Sequence, residues 1–229
     1  ENGSGGATVR GNLLTQSEAC GLEMYQSSGG NRAENNTITG NGIGSGGGLE
    51  NPGVRLYGTG NVIDRNVITG NVGAGVMVTS GSTGSTITRN AISGNGPSTG
   101  QIGIDLLRAA DNQNLGTAPY VTPNDSGDGD TGGNGLLNFP VLMRALIGGG
   151  NLSLAGFARP GSLIEMFVAA PDPSGFGEGI SYLVTVTEGS ATDTDTTTGT
   201  YTSPVNGLNV GTDTTNRFRF SIPVPPGVA

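Results

Sequence analysis

The sequence predicts an all-β protein in which a parallel β-helix is followed by an antiparallel β-sandwich of immunoglobulin-like type. Two observations lead to this prediction. Short Asn-rich motifs recur every 24 to 30 residues in the first half, and longer stretches of alternating apolar and polar residues follow residue 138. The composition agrees, because Gly accounts for 44 of 229 residues, and Gly, Thr, Asn and Ser all disfavour helices.

The first part contains four registers of one repeat. An Asn followed by two mostly apolar residues begins each register, at Asn12, Asn36, Asn66 and Asn90, with spacings of 24, 30 and 24 residues. Three of these motifs continue into Thr/Ser-Gly-Asn, at residues 39–41, 69–71 and 93–95. A second column of Gly-apolar-x-apolar occurs at residues 21–24, 53–56, 75–78 and 103–106. Three short strands per repeat match the coil of a parallel β-helix, in which neighbouring coils lie about 4.8 Å apart.

Each strand of such a coil forms one side of it, so alternate side chains should point into the stack. We expect Val62, Val67 or Ile68, Val76 and Val78 to pack on equivalent positions of neighbouring coils. Asn and Gly are expected at the corners, because both adopt left-handed backbone conformations readily. Stacked Asn side chains can also form hydrogen-bonded ladders.

The repeat, written NxITGN followed by GVxL, resembles the right-handed parallel β-helix repeats of pectate-lyase-like proteins over residues 7–107. The resemblance implies a right-handed β-helix. That family includes pectin-cleaving enzymes, phage tailspikes and adhesins, so it leaves the function open. The succession of GIDL, TPND, NFPVL and DPSGFGEG also resembles large bacterial surface proteins, in which β-helix coils are followed by β-sandwich modules. This second resemblance implies an extracellular structural role.

One outward-facing column is the natural place to look for catalysis, because enzymes of the pectate-lyase-like family work on the outer face of one parallel sheet. The column contains Glu23, Arg55, Met77 and Asp105. Glu23 and Arg55 should lie on neighbouring coils and form a surface salt bridge, with Asp105 two coils from Arg55. Glycoside hydrolysis needs two facing carboxyl groups. We therefore expect no catalytic site, and Glu23, Arg55 and Asp105 are the candidates if the chain is an enzyme.

Two tyrosines offer a different function. Tyr25 and Tyr57 lie two positions beyond Glu23 and Arg55 on the same strands, where they could bind a glycan without catalysing a reaction. The chain contains no His, Lys or Trp. Sugar binding often uses Trp, and proton abstraction often uses His or Lys, so the composition argues against both a carbohydrate-active enzyme and a glycan-binding module while excluding neither.

An acidic, Gly-rich stretch at residues 122–142 contains Asp125, Asp128 and Asp130. Carboxylate ligands in a loop of this kind suit Ca²⁺. Counted from Asn124, position 12 is Gly135 instead of the Glu of an EF-hand loop. Two interpretations remain open, a structural calcium site and a solvated acidic linker.

Longer strands are predicted in the second half, at residues 141–147, 151–157, 163–169, 180–187 and 216–224. The last has the clearest alternation, with Phe218, Phe220, Ile222 and Val224 on one face. The Thr- and Asp-rich residues 189–203 are expected to form an exposed loop or hairpin tip. Gly- and Pro-containing turns between the strands favour a sandwich.

The charge balance excludes some partners. Ten Arg residues stand against eighteen acidic residues, for a net charge of −8, so a concentrated basic face for nucleic acid or an acidic membrane surface cannot form. No apolar run is long enough for membrane insertion. The single cysteine, Cys20, cannot form an internal disulfide and is expected to be a buried apolar residue.

These features predict three segments: a β-helix at 1–110, an acidic Gly-rich linker at 111–138, and a β-sandwich at 139–229 that could lack its last strand. The favoured function is an extracellular structural or adhesive segment of a cell-surface protein or fibre. Because no capping segment precedes Val9, we expect end-to-end assembly with copies of itself or with neighbouring modules of the same parent protein. A fragment with trimmed ends is the alternative, and surface glycans are further candidate partners.

Overall fold

The computed structural model describes residues 5–25, 29–45, 49–226 and 228. Regular structure in these residues is almost entirely β-strand, which confirms the all-β prediction. None of the described helical segments has the length and apolar character needed to cross a membrane. The chain forms two compact units. The β-helix unit comprises Glu1–Thr122, Thr131–Leu136 and Ala169–Tyr182, and the sandwich unit comprises Pro123–Asp130, Leu137–Val168 and Leu183–Ala229.

Short strands of three residues form three parallel sheets in the β-helix unit. The first sheet contains β1 (Thr8–Arg10), β4 (Arg32–Glu34), β7 (Val62–Asp64) and β10 (Thr86–Thr88). The second contains β2 (Leu13–Thr15), β5 (Thr37–Thr39), β8 (Val67–Thr69) and β11 (Ala91–Ser93). The third contains β3 (Leu22–Met24), β6 (Val54–Leu56), β9 (Val76–Val78) and β12 (Ile104–Leu106). Each sheet takes one strand from each coil, so the predicted parallel β-helix is confirmed.

The inward column of each sheet forms the apolar core. Ile38, Ile68, Val76 and Val78 are fully buried, as expected for Ile68, Val76 and Val78. The expectation for Val62 was wrong: Ile63 points inward and Val62 is half-buried. On strands of three residues only the central or the two flanking side chains can face the core, and an Ile in either place satisfies the apolar pattern.

The corners of the coils adopt left-handed backbone conformations, as expected. At one corner Gly40, Gly70 and Gly94 share a φ of 63°. At another, the equivalent residues in two coils are Arg65 and Arg89, with φ of 53° and 52°. Both arginines pair with the buried Asp64, at 2.7 and 2.9 Å, so an ion pair accompanies the unfavourable backbone conformation of a non-Gly residue.

Buried Asn side chains form the expected ladders next to these corners. Asn66 Oδ1 accepts hydrogen bonds from the backbone N–H and from Nδ2 of Asn36, both at 2.9 Å. Asn66 in turn donates its N–H and Nδ2 to Asn90 Oδ1, at 2.8 and 2.9 Å. Its Nδ2 also donates to the carbonyl of Ala33. The same bonds connect Asn41, Asn71 and Asn95 at the next corner.

Two ladders end on residues from outside the repeat. Glu178 Oε1 accepts a hydrogen bond from Asn95 Nδ2 at 3.2 Å. Glu178 thus takes the place that the next Asn of the ladder would occupy. Burial raises the pKa of Glu178, while hydrogen bonds from the Asn95 side chain and from the backbone of Gly94 and Asn95 lower it. At a third corner Asn134 accepts from the N–H of Ser85 and donates to its carbonyl, at 2.9 and 2.8 Å.

Longer antiparallel strands build the second part of the chain. One sheet has the order β13 (Val141–Gly148), β14 (Asn151–Ala158), β18 (Thr212–Pro223) and β17 (Thr198–Thr202). The other contains β15 (Leu163–Ala170) and β16 (Glu178–Thr187). This arrangement confirms the predicted sandwich. The expected loop at residues 189–203 was partly wrong, because Thr198–Thr202 pairs with β18 as a strand.

The core of the sandwich unit is smaller and more open. Leu154, Phe218 and Phe220 are almost fully buried, and Ile222 and Val224 pack against them, as the alternation predicted. An open groove of about 390 Å³ is lined by apolar side chains from four strands, including Leu152. Four strands in one sheet and two in the other leave part of the inner apolar surface uncovered.

Candidate functional site

The third sheet carries the column in which catalysis was considered. Its register places Glu23 beside Arg55, Arg55 beside Met77, and Met77 beside Asp105 on successive coils. Arg55 Nη1 donates to Glu23 Oε1 at 2.6 Å, so the predicted pairing of these two residues is confirmed. A second carboxylate, from Glu50, accepts from the same nitrogen at 3.1 Å.

Three of the four residues of the column are buried, although the sequence led us to expect an exposed face. Arg55 and Asp105 are each only 2% exposed, and Met77 is fully buried. A segment at residues 108–121, which we call the strap, folds back over the sheet after the last coil. The carbonyl of Gln113 accepts from Arg55 Nε and Nη2 at 3.0 and 2.8 Å, and Asn114 Oδ1 accepts from Nη2 at 2.6 Å.

Further hydrogen bonds hold the strap to three other places in the β-helix unit. Gln113 Oε1 accepts the N–H of Ser80 at 2.9 Å, and the carbonyl of Leu115 accepts Gln101 Nε2 at 2.8 Å. Arg108 forms an isolated antiparallel bridge with Gly132. The fold of the strap was not predicted from the sequence, because its residues show no periodic pattern. Its one signal is a run of amide side chains, Asn112 to Asn114, directly after the repeat ends.

Asp105 lies beneath the strap in an unusual environment for a carboxylate. Its Oδ2 is buried and has no hydrogen-bond partner within the described part of the chain. Gly116 crosses so close that a Cβ atom there would lie 2.6 Å from this oxygen. Burial, and to a smaller extent the charge of Asp111, raise the pKa of Asp105 to about 7, against a lowering contribution from Arg108.

The two tyrosines lie at the uncovered end of the same sheet. Tyr25 and Tyr57 form an edge-to-face pair with ring centroids 5.1 Å apart. The Arg55 guanidinium lies 4.3 Å from the centre of the Tyr57 ring and also hydrogen-bonds its hydroxyl. Tyr25 is 50% exposed, whereas burial raises the pKa of Tyr57. The structure therefore brings together both predicted ligand-binding residues with Glu23 and Arg55.

Cys20 lies close to this group and is half-buried. The pKa of its thiol is raised to about 12, mainly by burial and to a smaller extent by the carboxylates of Glu23 and Glu50, against a lowering contribution from Arg55. A thiol in this environment stays protonated and is a poor nucleophile and a poor metal ligand.

The acidic residues considered for calcium lie in the sandwich unit. Asp128 forms an ion pair with Arg159 and accepts the N–H of Asn138 at 2.5 Å. Asp125 accepts the N–H of Gly129 through both carboxylate oxygens, at 3.2 and 3.1 Å. Asp130 lies in the same loop. Within the described residues, no three His, Cys, Asp or Glu side chains are grouped as a metal site would require, so calcium at Asp125, Asp128 and Asp130 stays a prediction.

Comparison with known proteins adds one similarity. Residues 1–100 match the family described as periplasmic copper-binding protein (NosD). The matched region covers most of the β-helix repeat and less than half of the chain. None of the curated proteins compared with the chain matches it significantly.

Copper does not fit the donor atoms of the matched region. Copper sites in proteins use imidazole, thiolate or thioether ligands. The chain contains no His, and its one cysteine has a strongly raised pKa. The two methionines of the matched region, Met24 and Met77, are buried on different coils. The similarity to this family is therefore a similarity of the repeat, without a set of copper ligands.

Proposed function

We propose that this chain is a non-enzymatic structural or adhesive segment of a protein that acts outside the cytoplasm, at the cell surface. The description of the similar family as periplasmic supports the location. The repeat architecture supports a structural role, because stacked coils give a long, rigid element whose stability comes from contacts between neighbouring coils.

The closure of the third sheet is the observation that carries the proposal. A glycosidase or lyase needs an acid and a base that reach a substrate. Asp105 is enclosed beneath the strap, and Arg55 uses its donors on Glu23, Glu50, Gln113, Asn114 and Tyr57. Glu23 remains partly accessible, but it is paired with Arg55, and the carboxylate of Glu50 is paired with the same arginine.

A depolymerisation assay tests this proposal. Pectin, alginate and neutral polysaccharides are incubated with the chain between pH 5 and pH 8, and new reducing ends or unsaturated products are measured. We expect no turnover at any pH. Turnover that is abolished by Glu23→Gln or Asp105→Asn, and kept by the matched change Glu165→Gln in the sandwich unit, would overturn the proposal.

Assembly through the coil edge is a part of the proposed function. In the described residues, β1, β2 and β3 each have a strand partner on one side only. Unpaired edges of this kind pair with further β-structure, so we infer that another coil of the parent protein or of a second copy stacks there. Leu14 on β2 packs against the core and Leu13 points outward.

Sedimentation velocity with these two leucines tests the assembly. A charge that points into the core at an edge blocks stacking. We expect concentration-dependent association of the unmodified chain, its loss in Leu14→Lys, and its retention in Leu13→Lys. A monomer at all concentrations, or equal effects of the two changes, contradicts association through this edge.

Glycan binding is a second candidate function, favoured by the exposed face of Tyr25. Because the guanidinium of Arg55 is fully engaged, the group offers acceptor oxygens of Glu23 and Glu50 and an aromatic ring, which suits hydroxyl donors of a neutral saccharide. Calorimetric titration with neutral oligosaccharides should lose its signal in Tyr25→Ala and keep it in Tyr182→Ala. Absence of binding by the unmodified chain argues against this function.

A further inference from the structure

The strap and Asp105 form an arrangement that a purely structural cover does not require. An apolar side chain would suit position 105, since the apolar Met77 occupies the equivalent position on the neighbouring coil. Instead a carboxyl group lies at 2% exposure, with Oδ2 buried and lacking a hydrogen-bond partner in the described residues. A neutral carboxyl group tolerates this environment far better than a carboxylate, because an unpaired charge is costly to bury.

The strap supplies the enclosure. Gly116 is buried and passes close to the carboxyl group, and the ring of Tyr120 lies next to the same point of Gly116. Gly116 has a φ of 68°, and a side chain at this position would meet both Asp105 Oδ2 and the Tyr120 ring. The close approach of the strap to Asp105 thus depends on a glycine at the point of contact.

We propose that ionisation of Asp105 releases the strap from the third sheet, so that residues 108–121 act as a pH-sensitive cover over Arg55, Met77 and Asp105. When Asp105 is neutral the strap lies closed. When it is charged, the enclosed carboxylate gains water only if the strap lifts, and the column becomes accessible.

The charged groups around Asp105 are few. On the strap, Asp111 repels the ionised form and Arg108 favours it. The neighbouring residue of the column on β9 is the uncharged Met77, and the turn Gly133–Leu136, which contacts β12, contains no titratable side chain. Burial is thus the largest influence on the pKa of Asp105, and the charged side chains that act on it in the described residues are Asp111 and Arg108 of the strap. The strap also places the phenol ring of Tyr120 beside the same point of Gly116.

The sign of the pH dependence follows from the raised pKa. The closed state binds the proton of Asp105 more tightly than the open state, so closure is fully favoured below the ordinary aspartate pKa of 3.8 and weakens as the pH rises to about 7. Above that pH both states are ionised and the opening constant levels off. Because each pKa unit is a factor of ten, opening should increase on the order of a hundredfold between pH 5 and pH 8.

Hydrogen exchange of strap peptides, measured by mass spectrometry and corrected for intrinsic exchange rates, tests the proposal on the full chain. In the unmodified protein, protection of residues 108–121 should fall by at least about tenfold from pH 5 to pH 8, while the ladder amides near Asn66 keep theirs. In Asp105→Asn the strap should exchange at a rate independent of pH after correction. Asp64→Asn is the control, because Asp64 is equally buried but paired with two arginines.

Two further variants make the test independent of whether Asp105→Asn folds. Asp111→Asn removes the repelling charge and should shift the midpoint of strap opening to lower pH, while Arg108→Gln should shift it to higher pH. Strap protection that does not change with pH in the unmodified chain, or a pH dependence that survives in Asp105→Asn, would overturn the proposal. Shifts of the two strap variants in the wrong direction would do the same.

Discussion

The two units of the chain solve the problem of a β-sheet core in opposite ways. In the β-helix unit, buried polar side chains accompany a tightly packed apolar core, and a central rung such as Asn66 is satisfied by the coils on either side. In the sandwich unit the central side chains are apolar, yet a groove of about 390 Å³ stays open beside them. The difference shows that a short repeat can cover the core of its inner coils with neighbouring coils alone, whereas a sandwich closes only when its two sheets cover one another.

The distance along the chain between paired residues explains the contrast. Equivalent rungs of the β-helix are 24 or 30 residues apart, and each coil repeats the same corners. In the sandwich, Asn151 pairs with Pro223, and strands β15 and β16 form a sheet of their own. Local repetition gives the same pairing from coil to coil, whereas the pairing in the sandwich differs from one strand pair to the next.

The largest decrease in the free energy of unfolding is expected when an Asn in the middle of a ladder is replaced. Asn66→Ala should lower the free energy of unfolding by about 3–5 kcal/mol, because the buried N–H of Asn36 loses its acceptor, and Asn90 Oδ1 and the carbonyl of Ala33 each lose a donor. Asn12→Ala, at the exposed first rung, should lower it by less than about 1 kcal/mol. Urea unfolding measures both. Equal losses at the two positions would mean that the ladder does not stabilise the β-helix.

The closed and open cores should respond differently to the loss of a large side chain. Ile68→Ala should lower the free energy of unfolding by about 4 kcal/mol, because the tightly packed core cannot fill the cavity. Leu152→Ala, beside the groove, should lower it by about 2 kcal/mol, since water reaches the space. Chemical denaturation followed separately for each unit gives both values. A larger loss at Leu152 would show that the groove is closed in solution.

A smaller effect is expected where the backbone passes close to a ladder. In Gly53→Ala the new Cβ would lie 2.6 Å from Asn71 Nδ2 and 2.8 Å from the carbonyl of Gly75. Overpacking of this kind typically lowers the free energy of unfolding by about 1–3 kcal/mol. Gly81→Ala serves as the control, because a Cβ there has no heavy atom within 4 Å. The melting temperature should fall in the first variant and stay within a degree or two in the second.

Calcium should give the smallest effect. We propose that Ca²⁺ binds the loop of Asp125, Asp128 and Asp130, where it must compete with Arg159 for Asp128. We therefore expect weak binding that stabilises the sandwich unit by about 1 kcal/mol at millimolar Ca²⁺. Scanning calorimetry with Ca²⁺ or EDTA measures the shift, and Asp125→Asn should remove it while Asp111→Asn should not. Identical melting curves in Ca²⁺ and EDTA would end the calcium proposal.

The parts of the fold that could be predicted from the sequence are those in which one residue type recurs at a fixed spacing. The Asn rungs, the Gly corners and the pairing of Glu23 with Arg55 all follow from the register of the repeat. The strap could not be predicted, because the hydrogen bonds that Arg55 donates to Gln113 and Asn114 connect residues 58 and 59 positions apart without any pattern. The burial of Arg55 and Asp105 depends on the strap and was missed for the same reason.

Positions with two apolar residues in succession were ambiguous for a different reason. Val62 and Ile63 are both good strand residues, and the choice between them depends on which one the neighbouring coils place opposite Ala33 and Ile87. The strand at Thr198–Thr202 was missed because its Thr-rich sequence is as common in loops as in edge strands, and its pairing with β18 decides the outcome.

The last rung of one ladder has a consequence for how such a chain can change length. An Asn side chain both accepts and donates, so it passes the pattern of bonds from one coil to the next, whereas the carboxylate of Glu178 only accepts. Glu178 therefore terminates the hydrogen-bond ladder of Asn41, Asn71 and Asn95. A duplicated coil inserted before Asn95 would continue the same pattern of hydrogen bonds, and Glu178 would still terminate the ladder. Insertion or deletion of one whole coil could thus change the length of the stack while Glu178 still terminates the ladder.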